Sequence, residues 1–139
     1  MPTKIVVDAS ALAAVLFGEP EASKVAERLG DSALLAPTLF SYEIANICWK
    51  KLRRHPEKRA TLLEAYSFLS RMEIEEMEVS SPEVLLLADR ENLTVYDASY
   101  LWLSRKLALE LVTLDGDLDA AAVASPERDV PTAAEEQVL

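Results

Sequence analysis

The sequence predicts an α/β domain built on a mainly parallel sheet, and three observations carry this. Short apolar runs rich in β-branched residues alternate with longer segments of helical period. No internal repeat or linker-like stretch interrupts the alternation. The 139 residues, 50% hydrophobic and 27% charged, suit one globular domain with a single core.

Each element follows from local signals. Lys4–Val7 is the first strand, closed by Asp8. Ser10–Phe17, rich in Ala and Leu, is a helix that stops near Gly18. Pro20 opens a second helix, which ends at Gly30. Ala33–Ala36 is a strand ending at Pro37. From Thr38 the period is helical: Phe40, Ile44, Ile47, Cys48 and Leu52 share one face, and His55-Pro56 breaks the helix. Another helix is expected from Glu57 to Met72, with Leu62, Leu63, Tyr66 and Leu69 or Phe68 as its apolar side. Ile74–Val79 is a weak strand, because Glu75-Glu76 breaks the alternation.

Ser81-Pro82-Glu83 starts a helix that continues through Arg90. Thr94–Leu107 is another, with Ala98, Leu101, Trp102 and Leu107 inward. Leu111–Thr113 is a strand, Asp115-Gly116-Asp117 reads as a turn, and Leu118–Ala124 as a short helix. Arg128–Pro131 is a candidate edge strand. One domain is expected over residues 1–131, with residues 132–139 frayed. Trp49 and Trp102 are read as packing residues, and Cys48 as core.

Composition excludes several classes. The lone Cys48 forms no internal disulfide, which sets aside a disulfide-stapled secreted scaffold. The longest apolar run, Ala11–Phe17, falls far short of the ~20 residues a membrane span needs. Asp8 interrupts any signal-peptide core, so a cytoplasmic protein without membrane association is expected. The net charge of −10 argues against a simple phosphate-neutralising binder. That charge is uneven, because Lys50–Arg59 carries six cations against one acid.

In open parallel sheets, ligands bind at the carboxyl ends of the strands. Asp8 ends the first strand, and Asp115 follows the strand at Leu111–Thr113, with Asp117 and Asp119 close behind. Glu43 and Asp97 fall in the first turns of their helices. Each has a plainer explanation: Asp8 as a helix N-cap, Thr94-x-x-Asp97 as a capping box, Asp115-Gly116 as a turn, Glu43 as a solvated residue. These explanations do not account for an acid at every strand-to-helix junction of the main sheet. Clustered carboxylates demand a proton or a cation. Oxygen-only donors suit Mg²⁺ or Mn²⁺, and metal-assisted phosphodiester hydrolysis follows as a reaction class.

The same residues resemble the PIN-domain nucleases, and within them the VapC-type toxins of toxin–antitoxin pairs. The resemblance covers about residues 4–124. It rests on Val6-Val7-Asp8-Ala9-Ser10, Glu43-Ile44-Ala45-Asn46, Tyr96-Asp97-Ala98-Ser99-Tyr100-Leu101 and Leu111-Val112-Thr113-Leu114-Asp115, in that order. It implies a PIN-like three-layer α/β/α sandwich and a metal-dependent endoribonuclease. Asp8, Glu43, Asp97 and Asp115 would be the catalytic and metal-holding acids, with Mg²⁺ or Mn²⁺ as cofactor. Asp117 would be an outer member, or a substitute if Asp115 points away. Ser10 and Thr113 would be hydroxyl helpers, and Asn46 matches a polar position of the family. The resemblance also implies an antitoxin partner. Lys50, Lys51, Arg53 and Arg54 are candidates for RNA or partner contact, with a solvated helix end as the alternative. Apolar faces on Thr38–Arg53 and Glu57–Met72 offer a surface for a partner or a homodimer.

Two rivals remain. A phosphotransfer receiver domain wants paired acids after strand one, a mid-chain acceptor Asp and a Lys near the last strand. Here Asp8 is single and Leu111–Thr113 leads to Asp115 without a Lys. A catalytically silent module that kept the fold is the other alternative.

Overall fold

The computed structural model describes residues 3–124 and 129–132. Among them four strands form one parallel sheet in the order β3-β2-β1-β4. The strands are β1 (Lys4–Val7), β2 (Ala33–Pro37), β3 (Ile74–Met77) and β4 (Glu110–Val112). The register sets Val6 beside Leu35 and Leu111, and Leu35 beside Glu75.

The helices are α1 (Ala9–Leu16), α2 (Ala22–Leu29), α3 (Phe40–Arg54), α4 (Arg59–Ser67), α5 (Ser81–Glu91), α6 (Val95–Leu107) and α7 (Gly116–Ala124). From β1 to β2 to β3 the chain steps one way across the sheet, and from β3 it returns past β1 to β4. Right-handed crossovers therefore put α1–α4 on one face and α5–α6 on the other. Val6, Val7, Leu12, Ile44, Leu87 and Leu101 are fully buried in this three-layer α/β/α core. The strand order reverses at β1 and β4, so the crevice at their carboxyl ends is the natural ligand position.

Several boundaries differ from the sequence expectation for local reasons. The second helix starts at Ala22, because the Ala22 N–H bonds to the Glu19 carbonyl and leaves Pro20 in a turn. The expected Glu57–Met72 helix is broken into a 3₁₀ turn (Pro56–Lys58), α4 and a second 3₁₀ turn (Phe68–Arg71). There the Ser67 and Ser70 hydroxyls donate to the Glu64 and Ser67 carbonyls, competing with the helical ladder. Leu63 and Phe68 are exposed rather than inward, and Arg71 stacks on the Phe68 ring. Trp49 is 54% exposed with Arg53 over its ring, so it is not a core residue, whereas Trp102 is buried.

The third strand ends at Met77 and the fourth at Val112. The Asp115-Gly116-Asp117 turn is instead the start of α7, where the Leu118 N–H donates to Asp115 Oδ1 at 2.9 Å. Asp129–Pro131 pairs with no strand among the described residues, and Arg128 and residues 133–139 lie outside them.

Candidate functional site

Asp8 leaves β1 as the N-cap of α1 and is 4% exposed. Its Oδ1 accepts from the Ser10 hydroxyl at 2.7 Å and the Ala11 N–H at 3.0 Å. Its Oδ2 accepts from the Thr113 hydroxyl at 2.6 Å. Ser10 Oγ in turn accepts the Leu114 N–H, and Thr113 Oγ1 accepts the Asp115 N–H. Two hydroxyls thus lock the end of β1 to the loop after β4 and orient the Asp8 carboxylate.

Glu43 sits in the first turn of α3, and its Oε1 accepts from the Tyr100 hydroxyl of α6 at 2.5 Å. Asp97 lies in the first turn of α6, where its N–H bonds to the Thr94 cap at 3.1 Å. Its carboxylate makes no hydrogen bond among the described residues. The capping role therefore uses the Asp97 backbone and leaves the carboxylate to the cleft. Asp8 is likewise both helix cap and cavity residue, so the plain and functional readings coexist.

Asp8, Glu43, Asp97 and Asp115 all line one open cavity of about 510 Å³. Ser10 and Asn46 line it too. Thr113 acts from behind through Asp8, and Asp117 lies outside the cavity wall, in a separate depression beside Glu91. Of the four candidate cations, Lys50 alone lines the cavity. Lys51 pairs with Glu19 at 2.6 Å and stacks on Phe17, while Arg53 covers Trp49. Sequence reasoning missed Tyr100 as the partner of Glu43, and Tyr42 and Tyr96 as cavity residues. The one available signal was spacing: Tyr96, Asp97 and Tyr100 share a helix face.

Burial raises the proton affinity of Asp8, Glu43 and Asp97, and mutual repulsion adds to it. For Asp8 the burial cost is opposed by Thr113, Ser10 and Ala11, with Asp115 pushing upward. Glu43 is raised by burial, eased by Tyr100, and pushed further by Asp8 and Asp97. Asp97 is raised by burial and by Asp115, Asp8 and Asp117. Burial and the Glu43 carboxylate also push the Tyr100 phenol up, so it stays a hydrogen-bond donor.

A group that titrates higher folded than unfolded stabilises below its unfolded pKa and loses that contribution as pH rises through its folded pKa. Metal-free protein should therefore melt at a higher temperature near pH 5 than near pH 7.5, above the ordinary carboxylate value of ~4. Asp97→Asn should flatten that slope. A wild-type melting temperature that rises steadily from pH 5 to pH 7.5 would contradict the site's electrostatics.

The donors are all oxygens, which fits a hard divalent cation. Among the described residues no three Asp, Glu, His or Cys side chains form a ready-made ligand cluster.

Residues 5–124 match the PIN domain family. Ribonuclease VapC3 of Pyrobaculum aerophilum is 37% identical over 121 residues, covering 83% of this chain and 92% of its own. Exonuclease VapC9 of the same organism is 35% identical over 128 residues, 85% of each chain. A crystal structure of a Pyrobaculum aerophilum protein aligns with TM-score 0.62 and 30% identity over 91% of both chains. VapC20 of Mycobacterium tuberculosis, a sarcin-ricin loop cleaving toxin, shares the fold at TM-score 0.57 and 23% identity, over 84% of this chain and 94% of its own. The length of the family match and the identity to two VapC proteins leave one assignment: this chain belongs to the PIN domain family, as a member of VapC type.

Proposed function

We propose that this chain is a Mg²⁺- or Mn²⁺-dependent endoribonuclease, the cytoplasmic toxin of a toxin–antitoxin pair. The observation that carries the reading is the cavity itself. Four carboxylates from four segments line it, and their charges act on one another. Names of relatives supply the nuclease class: one is a ribonuclease and one an exonuclease.

Asp8, Glu43, Asp97 and Asp115 would hold the ion. When bound, it supplies positive charge that polarises a phosphoryl oxygen and makes nearby water more acidic. The chain's own contribution is positional. Ser10, Ala11 and Thr113 fix both Asp8 oxygens, and Tyr100 fixes Glu43. Asn46, one turn beyond Glu43, offers an amide to substrate or water at the same wall. Asp117 acts at a distance, through its charge on Asp97.

An antitoxin would reach the same acids with an Arg or Lys, which can pair a carboxylate through charge-assisted hydrogen bonds. Exposed Trp49, Leu63 and Phe68 on the α3–α4 side suit a homodimer or that partner. Among the described residues no helix is long and apolar enough to cross a membrane.

Incubation of the metal-free protein with linear and circular RNA tests the reading. Cleavage of both, only after Mg²⁺ or Mn²⁺ is added, is the expected result. Cutting of linear RNA alone would convert the reading to an exonuclease. Co-expression with the neighbouring open reading frame tests the toxin role: it should relieve growth arrest and suppress cleavage. A protein that is harmless alone yet active in vitro would be a housekeeping nuclease instead.

A further inference from the structure

Large exposed aromatics are the informative exception on a protein surface. Four are exposed among the described residues: Tyr42, Trp49, Phe68 and Tyr96. Arg53 covers the Trp49 ring and Arg71 the Phe68 ring. Tyr42 and Tyr96 have no such cover, are 81% and 62% exposed, and both line the carboxylate cavity. They come from opposite walls. Tyr42 precedes Glu43 on α3, and Tyr96 precedes Asp97 on α6. Each acid is thus flanked, one residue away, by an open phenol ring.

Lys50 completes the arrangement. It follows Tyr42 and Asn46 at four-residue steps, so the three form one stripe along the α3 wall. It has no ion-pair partner among the described residues. An uncommitted ammonium beside four carboxylates lacks its obvious local pairing, so its charge is available to a ligand anion.

We infer that Tyr42 and Tyr96 are base-stacking platforms on either side of the cleft, and that Lys50 binds a neighbouring phosphate. This rests on the ribonuclease reading and adds residues that select the substrate. Every base has a π-face, so stacking on the two rings needs unpaired nucleotides but no particular sequence. A paired strand keeps its bases stacked inside the duplex and cannot present them to the rings. The carboxylates repel a phosphate, and Lys50 offsets that repulsion at the end of the cleft away from Tyr42.

Binding and cleavage of three probes test the inference: an unpaired uridine decamer, the same decamer in a duplex, and an abasic ribose-phosphate decamer. Tyr42→Ala and Tyr96→Ala should each weaken binding of the unpaired decamer roughly tenfold to a hundredfold. The loss should appear in KM more than in kcat, and abasic-probe binding should not change. Tyr42→Phe and Tyr96→Phe, which keep the rings, should restore decamer binding to within about twofold of wild type. Lys50→Ala should weaken the unpaired and abasic probes alike and reduce the log–log salt slope by roughly 0.7.

Unchanged decamer affinity in both Ala variants, with cleavage intact, overturns the stacking role and leaves the nuclease reading standing. Altered self-association or altered binding of a protein partner, without altered RNA affinity, makes the tyrosines a protein contact and overturns it too. A wild-type protein that neither binds nor cuts any RNA with Mn²⁺ present removes the ribonuclease reading, and this inference with it.

Discussion

Asp97→Asn should lower RNA cleavage by on the order of 10²–10³-fold while leaving the metal-free protein folded. The substitution keeps the side chain's shape and removes one negative charge. Asp97 is the cleanest of the four acids to change, because its carboxylate makes no hydrogen bond among the described residues. Its backbone N–H, which caps α6 through Thr94, is untouched. Burial and three neighbouring acids already disfavour the Asp97 charge, so the metal-free variant should melt no lower than wild type at pH 7.5.

Asp8→Asn should lose as much activity but also some stability. All donors around Asp8 expect a carboxylate, and an amide would turn one N–H₂ toward either Thr113 or the Ser10 and Ala11 donors. Parallel melts and initial rates decide this. Near-normal turnover of Asp97→Asn at saturating metal would remove Asp97 from the catalytic set.

Arg105→Ala should cost about 3 kcal/mol of stability and lower the melting temperature by roughly 10 °C. Arg105 is only 4% exposed, an unusual place for a guanidinium. Its Nη1 donates to Glu91 on α5 at 3.1 Å and to the Asp129 carbonyl at 2.9 Å. Its Nη2 donates to the Ala121 carbonyl on α7 at 3.2 Å. One side chain therefore ties α5, α6, α7 and the segment at 129–132 together, and truncation strips donors from two carbonyls and a carboxylate. Arg105→Met, which preserves most of the packed stem, should recover part of the loss. Denaturant unfolding checks the outcome: the midpoint should fall with little change in slope. A midpoint unchanged in Arg105→Ala would mean that the clasp is not a stabilising contact.

Patterned residues made the sheet legible in the sequence. Ile5, Val6 and Val7 could only be a buried strand, and Asp8 behind them fell at the carboxyl end where the crevice forms. Glu43 and Asp97 were visible because helix-start signals set their distance from the preceding loop. What sequence could not show were pairings across the fold. Tyr100 meets Glu43 over a separation of 57 residues, and Thr113 meets Asp8 over 105. Arg105 reads locally as one more helix cation, and only the packing of α5 and α7 buries it. Trp49 is not a packing residue because its helix face looks outward, which hydrophobicity alone does not reveal. Lys50 and Lys51 are equivalent as sequence, yet one turns to the cavity and the other to Glu19.

The rate of RNA cleavage against Mn²⁺ concentration, in wild type and in Asp97→Asn, tests the four-carboxylate metal site most directly. With all metal removed, the wild type should be inactive. Added Mn²⁺ should restore cleavage along a saturating curve. The Asp97→Asn curve should require far more Mn²⁺ and reach a far lower plateau. Undiminished wild-type cleavage in excess chelator, or coincident curves for the two proteins, would contradict the account.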